Sequence, residues 1–133
     1  MTIFFDTNVL VYAQGPGIKG DKARQALTDG GVISVQVVNE FANVLRRKFR
    51  LEWNIVAAAV ADVRELFDSI RPVDIETHEA AIALAEAHGF SFYDSLIVAS
   101  ALQAGCETLL TEDLQAGRRI DSLVIVNPFA ADR

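Results

Sequence analysis

Ile3-Phe4-Phe5-Asp6-Thr7-Asn8-Val9-Leu10 is the stretch of this sequence that decides the fold. A short run of consecutive apolar residues is typical of a strand that is buried on both faces. The run ends on Asp6, and the apolar residues after it predict a helical turn over residues 8–13. A strand with two buried faces needs helices on both sides, which favours a parallel sheet between two helical layers.

The rest of the chain repeats this alternation of short apolar runs and longer segments of helical period. Gly15-Pro16-Gly17 opens a predicted loop over residues 15–20, and Gly89 predicts a helix end. Further strands are predicted over residues 32–33, 70–73, 108–110 and 123–126, and further helices over residues 21–28, 35–49, 54–67, 77–88 and 91–104. The pattern predicts an α/β fold, a three-layer α/β/α domain with a central, mostly parallel sheet of about five short strands.

Composition limits the class of protein. The 133 residues are 51% hydrophobic and 23% charged, which is typical of a single globular domain over residues 1–133. A single cysteine, Cys106, allows no internal disulfide, and no apolar run is long enough to span a membrane, so we expect a cytoplasmic protein. The net charge of −6 argues against binding of nucleic acid by a bulk positive field. It leaves nucleic acid open as a substrate, because cations held by acids cancel their charge locally.

Acidic residues stand where an α/β sheet places its ligands, beyond the carboxyl ends of the strands. Asp6 directly follows the first strand, and Asp113 comes three residues after Leu110. Glu40 falls nearly opposite the apolar stripe of helix 35–49, so we expect it to face away from the core. Asp94 lies near the start of the apolar helix 91–104, where a buried carboxylate needs a partner such as a cation.

Each acid also has a purely structural explanation. Asp6 could cap the next helix, Glu40 could be a solvated surface charge, and Asp113 could begin a turn. Ser91 and Asp94 have the spacing of a capping box, in which Asp94 would accept a hydrogen bond from the backbone of Ser91. The residues alone leave both explanations open.

Four short motifs surround these acids in order along the chain: Phe5-Asp6-Thr7-Asn8, Val38-Asn39-Glu40-Phe41, Tyr93-Asp94-Ser95-Leu96 and Leu110-Thr111-Glu112-Asp113. With them the chain resembles PIN-domain proteins, specifically the VapC-type toxins of type II toxin–antitoxin pairs. The resemblance implies a Mg²⁺- or Mn²⁺-dependent endoribonuclease with five catalytic residues, Asp6, Glu40, Asp94, Thr111 and Asp113. It also implies an RNA substrate, a small antitoxin as partner, and a homodimer.

The chemistry of phosphodiester hydrolysis agrees with such a site. A Mg²⁺ ion held by carboxylates activates water and neutralises charge on the phosphoryl oxygens. Asp6 and Asp94 are the expected direct ligands, while Glu40 and Asp113 complete a second metal site or orient the attacking water. Three further side chains are predicted to contact the substrate, Asn8, Arg46 and Arg47, although a solvated surface role is equally open for the two arginines.

Two other functions fit the same fold class. A non-catalytic interaction domain would use the acids only as helix caps and would bind no Mg²⁺ or Mn²⁺. A phosphoacceptor receiver domain needs paired acids after the first strand and a lysine after the last one. Asp6-Thr7 and Asn127-Pro128 stand at those positions, which argues against the receiver domain.

Overall fold

The computed structural model describes residues 2–130. Its strands are β1 (Ile3–Phe5), β2 (Val32–Ser34), β3 (Ser69–Arg71), β4 (Thr108–Leu110), β5 (Arg119–Ile120) and β6 (Leu123–Val126). Its helices are α1 (Thr7–Ala13), α2 (Gly17–Ala26), α3 (Val35–Arg47), α4 (Trp53–Leu66), α5 (Ile75–His88) and α6 (Phe92–Gln103).

The strands form one sheet in the order β3-β2-β1-β4-β6-β5. All neighbours pair in parallel except β5 and β6, which are antiparallel. The predicted three-layer α/β/α class with its mostly parallel sheet is confirmed, with six strands in place of about five. The additional strand, β5, has two residues and is therefore too short to leave an apolar pattern in the sequence.

The core is built around the central strand, β1. Phe4 and Phe5 point to opposite faces of the sheet and both are fully buried, so β1 anchors the layers on its two sides. The ring of Phe5 meets that of Phe67 edge-on, with centroids 5.6 Å apart. Full burial of a side chain of this size stabilises the fold by about 1.5–3 kcal/mol.

The helices differ in how far the sequence predicted them. Every residue from 95 to 101 in α6 is buried, as its apolar sequence indicated. In α3 the buried residues are Val37, Phe41 and Leu45, whereas Phe49 lies beyond the end of the helix and is 50% exposed. Within residues 2–130, no helix has the length and apolar character that crossing a membrane requires.

The prediction of a loop over residues 15–20 is wrong for residues 17–20, which are helical. Helix α2 begins at Gly17, after Pro16 at its N-cap. Gly20 is buried against the backbone carbonyl of Gly15, a contact that leaves no room for a Cβ atom. Arg24 donates hydrogen bonds to the carbonyl oxygens of Ala13 and Gly15, at 3.0 and 2.7 Å. Gly20 therefore allows α2 to pack closely against the turn at Gly15.

Gly31 offers a test of the packing around β1. Its φ is +148°, and a Cβ atom there would lie 2.7 Å from the carbonyl oxygen of Ile3 and would also collide with the buried ring of Phe5. We expect Gly31→Ala to lower the free energy of unfolding by about 1–3 kcal/mol or more, because neither the Ile3 carbonyl nor the Phe5 ring can move freely. Urea denaturation of the variant and the parent protein measures the loss.

Gly89→Ala is the matched control, because Gly89 has a φ of +74° and no atom within 4 Å of the added carbon. It should cost only the strain of the left-handed conformation, about 1–2 kcal/mol. A smaller loss at Gly31 than at Gly89 would contradict the packing argument.

Candidate active site

The carboxyl ends of β1 and β4 lie side by side and place Asp6 against Thr111. Phe5 pairs with Leu110, and the backbone N–H of Asp6 donates to the Leu110 carbonyl oxygen at 3.0 Å. The Thr111 hydroxyl then donates to Oδ2 of Asp6 at 2.7 Å. Both side chains are buried, Asp6 at 4% and Thr111 at 0% exposure. The hydrogen bond therefore joins two distant parts of the sequence at one edge of the sheet.

Asp6 is also the N-cap of α1, as the structural explanation proposed. The backbone N–H of Thr7 donates to its Oδ1 at 2.6 Å. Each carboxylate oxygen thus accepts one hydrogen bond and retains a free lone pair. Capping and participation in a site are compatible at this residue.

Asp113 is held by the same group of residues. Its backbone N–H donates to the Thr111 hydroxyl oxygen at 3.1 Å, and the side-chain amide of Asn8 donates to its Oδ2 at 2.7 Å. The hydroxyl of Thr111 therefore bridges Asp6 and the backbone of Asp113. Asn8, which was predicted to contact substrate, lies against Asp113 and fixes the direction of its side chain.

Glu40 reaches the site from α3. Its Oε1 accepts a hydrogen bond from the Thr7 hydroxyl at 2.8 Å, and its Oε2 accepts one from the Gln36 amide at 2.9 Å. The expectation that Glu40 faces away from the core is wrong, since the side chain is half-buried. The predicted stripe used Val38, but Val37 is the fully buried residue, which turns the inner face of the helix towards Glu40.

Asp94 lies in the first turn of α6 and is half-buried. Only half of the predicted capping box forms, because the Ser91 hydroxyl accepts from the backbone N–H of Asp94 at 3.2 Å without the reciprocal bond to the carboxylate. Among the described residues the Asp94 carboxylate accepts no hydrogen bond. It is near enough for its charge to raise the pKa of Asp113.

The four acids share one electrostatic field. Burial raises the pKa of Asp6 to about 6, against the lowering effect of hydrogen bonds from Thr111 and Thr7, and the charges of Asp113 and Glu40 raise it further. Desolvation also raises the pKa of Asp113, followed by the charges of Asp94, Glu112 and Glu40. A carboxyl group with a raised pKa destabilises the fold when it is ionised, so this cluster costs stability at neutral pH.

The donor set fits a hydrated hard cation. Within residues 2–130, no three Asp, Glu, His or Cys side chains converge closely enough to enclose an ion. Mg²⁺ usually keeps several waters and takes only one or two carboxylates directly, so enclosure is not required. Neither ion pair in the described chain, Lys19–Glu112 or Arg24–Asp21, includes any of the four acids. All the available donors are oxygens, and among residues 2–130 the buried carboxylate of Asp6 has no positive partner.

The two predicted phosphate-binding arginines differ in their surroundings. Arg46 donates to the carbonyl oxygen of Leu51 at 3.0 Å, and its guanidinium lies over the ring of Trp53 at 5.1 Å. Trp53 itself is 62% exposed. Arg47 is exposed on α3. Arg46 therefore has a structural task in the α3–α4 connection, and phosphate contact by either residue stays a prediction.

A polar cluster that no sequence pattern indicated lies beside the acids and is formed by Tyr12, Lys19 and Glu112. Lys19 Nζ lies 2.7 Å from Oε2 of Glu112, and the Tyr12 hydroxyl donates to Oε1 at 2.6 Å. The ammonium group also lies over the Tyr12 ring, 4.6 Å from its centroid. The residue between Thr111 and Asp113 is therefore neutralised by a lysine from α2. No sequence signal marked Lys19, because it falls in the segment predicted as a loop.

A comparison with protein-family models matches residues 3–121 to the PIN domain. This chain belongs to the PIN domain family. The matched span contains all four acids and Thr111, and the family predicted from the motifs is confirmed. The receiver-domain alternative is thereby excluded. No curated protein matches the chain in sequence.

Solved structures with the same fold include several toxin–antitoxin proteins. A toxin–antitoxin complex from Klebsiella pneumoniae has 23% identity and a TM-score of 0.72, over 98% of this PIN domain and 100% of that chain. VapBC2 from Rickettsia felis, bound to a DNA fragment from its promoter, has 19% identity and a TM-score of 0.69, over 96% and 98%. VapC20 from Mycobacterium tuberculosis, a toxin that cleaves the sarcin–ricin loop, has 19% identity and a TM-score of 0.65, over 81% and 87%.

Replacing Asp6 tests the electrostatic cost of the cluster. Because the pKa of Asp6 is raised from 3.8 to about 6, its ionised form destabilises the fold above that pH, and the cost disappears as the pH falls towards 4. In chelator, Asp6→Asn should therefore raise the free energy of unfolding by up to about 3 kcal/mol near pH 8 and by little near pH 4. Denaturant unfolding at several pH values measures the difference.

Asp74→Asn is the control, since Asp74 caps α5 but has its pKa lowered by hydrogen bonds from Thr77. It should bring no gain near neutral pH. An Asp6→Asn protein that is less stable than the parent at about pH 8 would show that Asp6 acts mainly as a cap.

The role of Lys19 can be tested by Lys19→Met. Partly exposed ion pairs contribute only about 0–1 kcal/mol, so stability should change little. The uncompensated charge of Glu112 should raise the pKa of Asp113 further, which NMR titration of the side-chain carboxyl carbons detects. Lys22→Met removes a charge from the same helix where no ion pair is present in the described structure. An equal shift in both variants would contradict the specific role of Lys19.

Proposed function

We propose that this PIN domain is a Mg²⁺- or Mn²⁺-dependent endoribonuclease and the toxin of a type II toxin–antitoxin pair. One observation carries the proposal: four carboxylates gather at the carboxyl ends of β1 and β4 with no cation of the described chain to pair them. Their mutual charge destabilises the ion-free protein, which favours binding of a divalent cation. The solved toxin–antitoxin structures of the same fold support the assignment.

In this proposal Asp6 and Asp94 are the direct metal ligands, and Glu40 and Asp113 orient water or hold a second ion. A divalent cation held there would supply an activated water and would neutralise charge on the phosphoryl oxygens. Thr111 fixes the Asp6 carboxylate through its hydroxyl and the Asp113 backbone through its oxygen. Asn8 then acts as a positioning residue for Asp113. Arg47 is the better candidate for a phosphate contact, because Arg46 is engaged with Leu51 and Trp53.

The proposed partners follow from the same site. RNA is the proposed substrate, and VapC20, a protein of this fold, is a toxin that cleaves the sarcin–ricin loop. A small antitoxin could inhibit by placing an arginine or lysine among the four acids, where it would replace the charge of the cation. We also propose a homodimer, as the resemblance to VapC-type toxins implies. We propose a cytoplasmic location with these partners.

Metal dependence is the first test. Chelator should abolish RNA cleavage, and added Mg²⁺ or Mn²⁺ should restore it. Asp94→Asn should lower the cleavage rate on the order of 100-fold or more, because a group that holds the metal or the water is lost. Gel-based cleavage assays with purified protein measure both effects. Full activity of metal-stripped protein in excess chelator would disprove the proposal.

Ser91→Ala separates the metal site from the helix cap. It removes the cap hydroxyl of α6 and should cost about 1 kcal/mol of stability, yet it leaves the Asp94 carboxylate in place and should preserve cleavage. Should Asp94→Asn lose stability and keep its activity, Asp94 would be a structural residue only.

A further inference from the structure

A polar cleft of about 490 Å³ opens beside the acid cluster, between α3 and the first turn of α6. We call it the amide cleft. It is lined by Gln36, Asn39, Glu40, Asn43 and Tyr93. Four of these residues come from one face of α3, at the spacing of neighbours along a helix. Its volume lies within the range of about 300–1,000 Å³ that is common for ligand sites.

The chemistry of the cleft suits a nucleobase. The carboxamides of Asn39 and Asn43 offer both hydrogen-bond donors and an acceptor, which is what the edge of a base requires. Gln36 donates one N–H to Glu40 and keeps its acceptor and a second N–H. Among residues 2–130 no lysine or arginine lines the cleft, and Glu40 adds a negative charge, so the cleft is poorly suited to a phosphate. A neutral ligand that is rich in donors and acceptors fits this lining best.

Tyr93 adds a surface for stacking. It is 60% exposed although it is aromatic, and it lies two residues before the buried part of α6. The ring of Phe92 lies edge-on to it, with centroids 5.6 Å apart, and supports it from one side. Unpaired bases commonly stack on exposed aromatic rings of this kind.

The cleft and the acid cluster share one residue, Glu40. Glu40 lines the cleft and also accepts a hydrogen bond from Thr7, next to Asp6. Tyr93 is the neighbour of Asp94 in sequence. A nucleotide whose phosphate lies at the acids therefore has its base within reach of the amide cleft.

We infer that the amide cleft binds one unpaired base of single-stranded RNA next to the phosphate that is cleaved. Tyr93 stacks on the base, and Asn39, Asn43 and Gln36 bind its edge. The inference rests on the proposed ribonuclease function and assigns base recognition to named side chains beside the acids, since bases paired in an A-form helix do not reach such a cleft. Sequence preference then arises from side chains of α3 and α6 other than the acids proposed to hold the metal.

Binding measurements separate base recognition from phosphate contacts. The proteins carry Asp6→Asn so that RNA stays intact, and the probes are labelled single-stranded RNA of roughly ten nucleotides and an abasic ribose-phosphate chain of equal length. The parent should bind the RNA more tightly than the abasic chain by fluorescence anisotropy. Tyr93→Leu should weaken RNA binding about tenfold and leave the abasic chain unaffected, while Tyr93→Phe keeps the affinity.

Arg47→Gln is the contrasting variant. If Arg47 contacts phosphate, it should weaken both probes alike and reduce the salt dependence of binding, whereas Tyr93→Leu should leave the salt dependence unchanged. Asn43→Ala should alter the preference among RNAs that differ in one base and leave the abasic chain unaffected.

Three results would overturn the inference. The first is equal binding of both probes by the Asp6→Asn parent, and the second is equal weakening of both probes by Tyr93→Leu. The third is loss of self-association by Tyr93→Leu in sedimentation, which would assign the cleft to a dimer contact. Failure of the ribonuclease proposal is a separate outcome. If the protein with Asp6 intact cleaves RNA in a metal-dependent way but the binding assay shows no base preference, only the amide-cleft inference is rejected. If base preference is found but the protein with Asp6 intact shows no metal-dependent cleavage, only the nuclease proposal is rejected.

Discussion

The hydrogen bond between the Thr111 hydroxyl and Asp6 is the interaction on which the site depends. It joins residues 105 positions apart in the sequence, and it is buried. A carboxylate in that position without a donor would bear its desolvation cost alone. Because the same hydroxyl oxygen accepts from the backbone of Asp113, one side chain sets the relative position of two acids. The parallel pairing of β1 with β4 makes this contact available.

The acid cluster lowers the stability of the fold and supplies the groups for the proposed chemistry. Desolvation raises the pKa values of Asp6 and Asp113, and the like charges gathered at one end of the sheet raise them further. The fully buried rings of Phe4 and Phe5, immediately before Asp6, anchor the strand that carries this buried acid. Functional sites are commonly less stable than the scaffold that supports them. A rigid central strand can therefore carry an acid whose burial lowers the stability of the fold.

What the sequence could predict was local. The apolar run before Asp6 and the apolar α6 around Asp94 identified their elements without any knowledge of neighbours, and the α/β class followed from them. The inward turn of Glu40 was missed because Val37 and Val38 are equally apolar, and only packing decides which one is buried. The pairing of Lys19 with Glu112 spans 93 positions and depends on where α2 begins. That start was not predicted, because two glycines and a proline at residues 15–17 favour a loop. Strand β5 exists only through its pairing with β6.

The close contact between Gly20 and the Gly15 carbonyl has a consequence for how this chain can vary. Surface connections between helices usually accept extra residues at little cost. Here the connection between α1 and α2 has a fixed length, because Tyr12 before it and Lys19 after it must both reach Glu112. An inserted residue would separate the two ends of that cluster. In descendants of this protein, insertions should accumulate in other surface connections and spare the turn at Gly15.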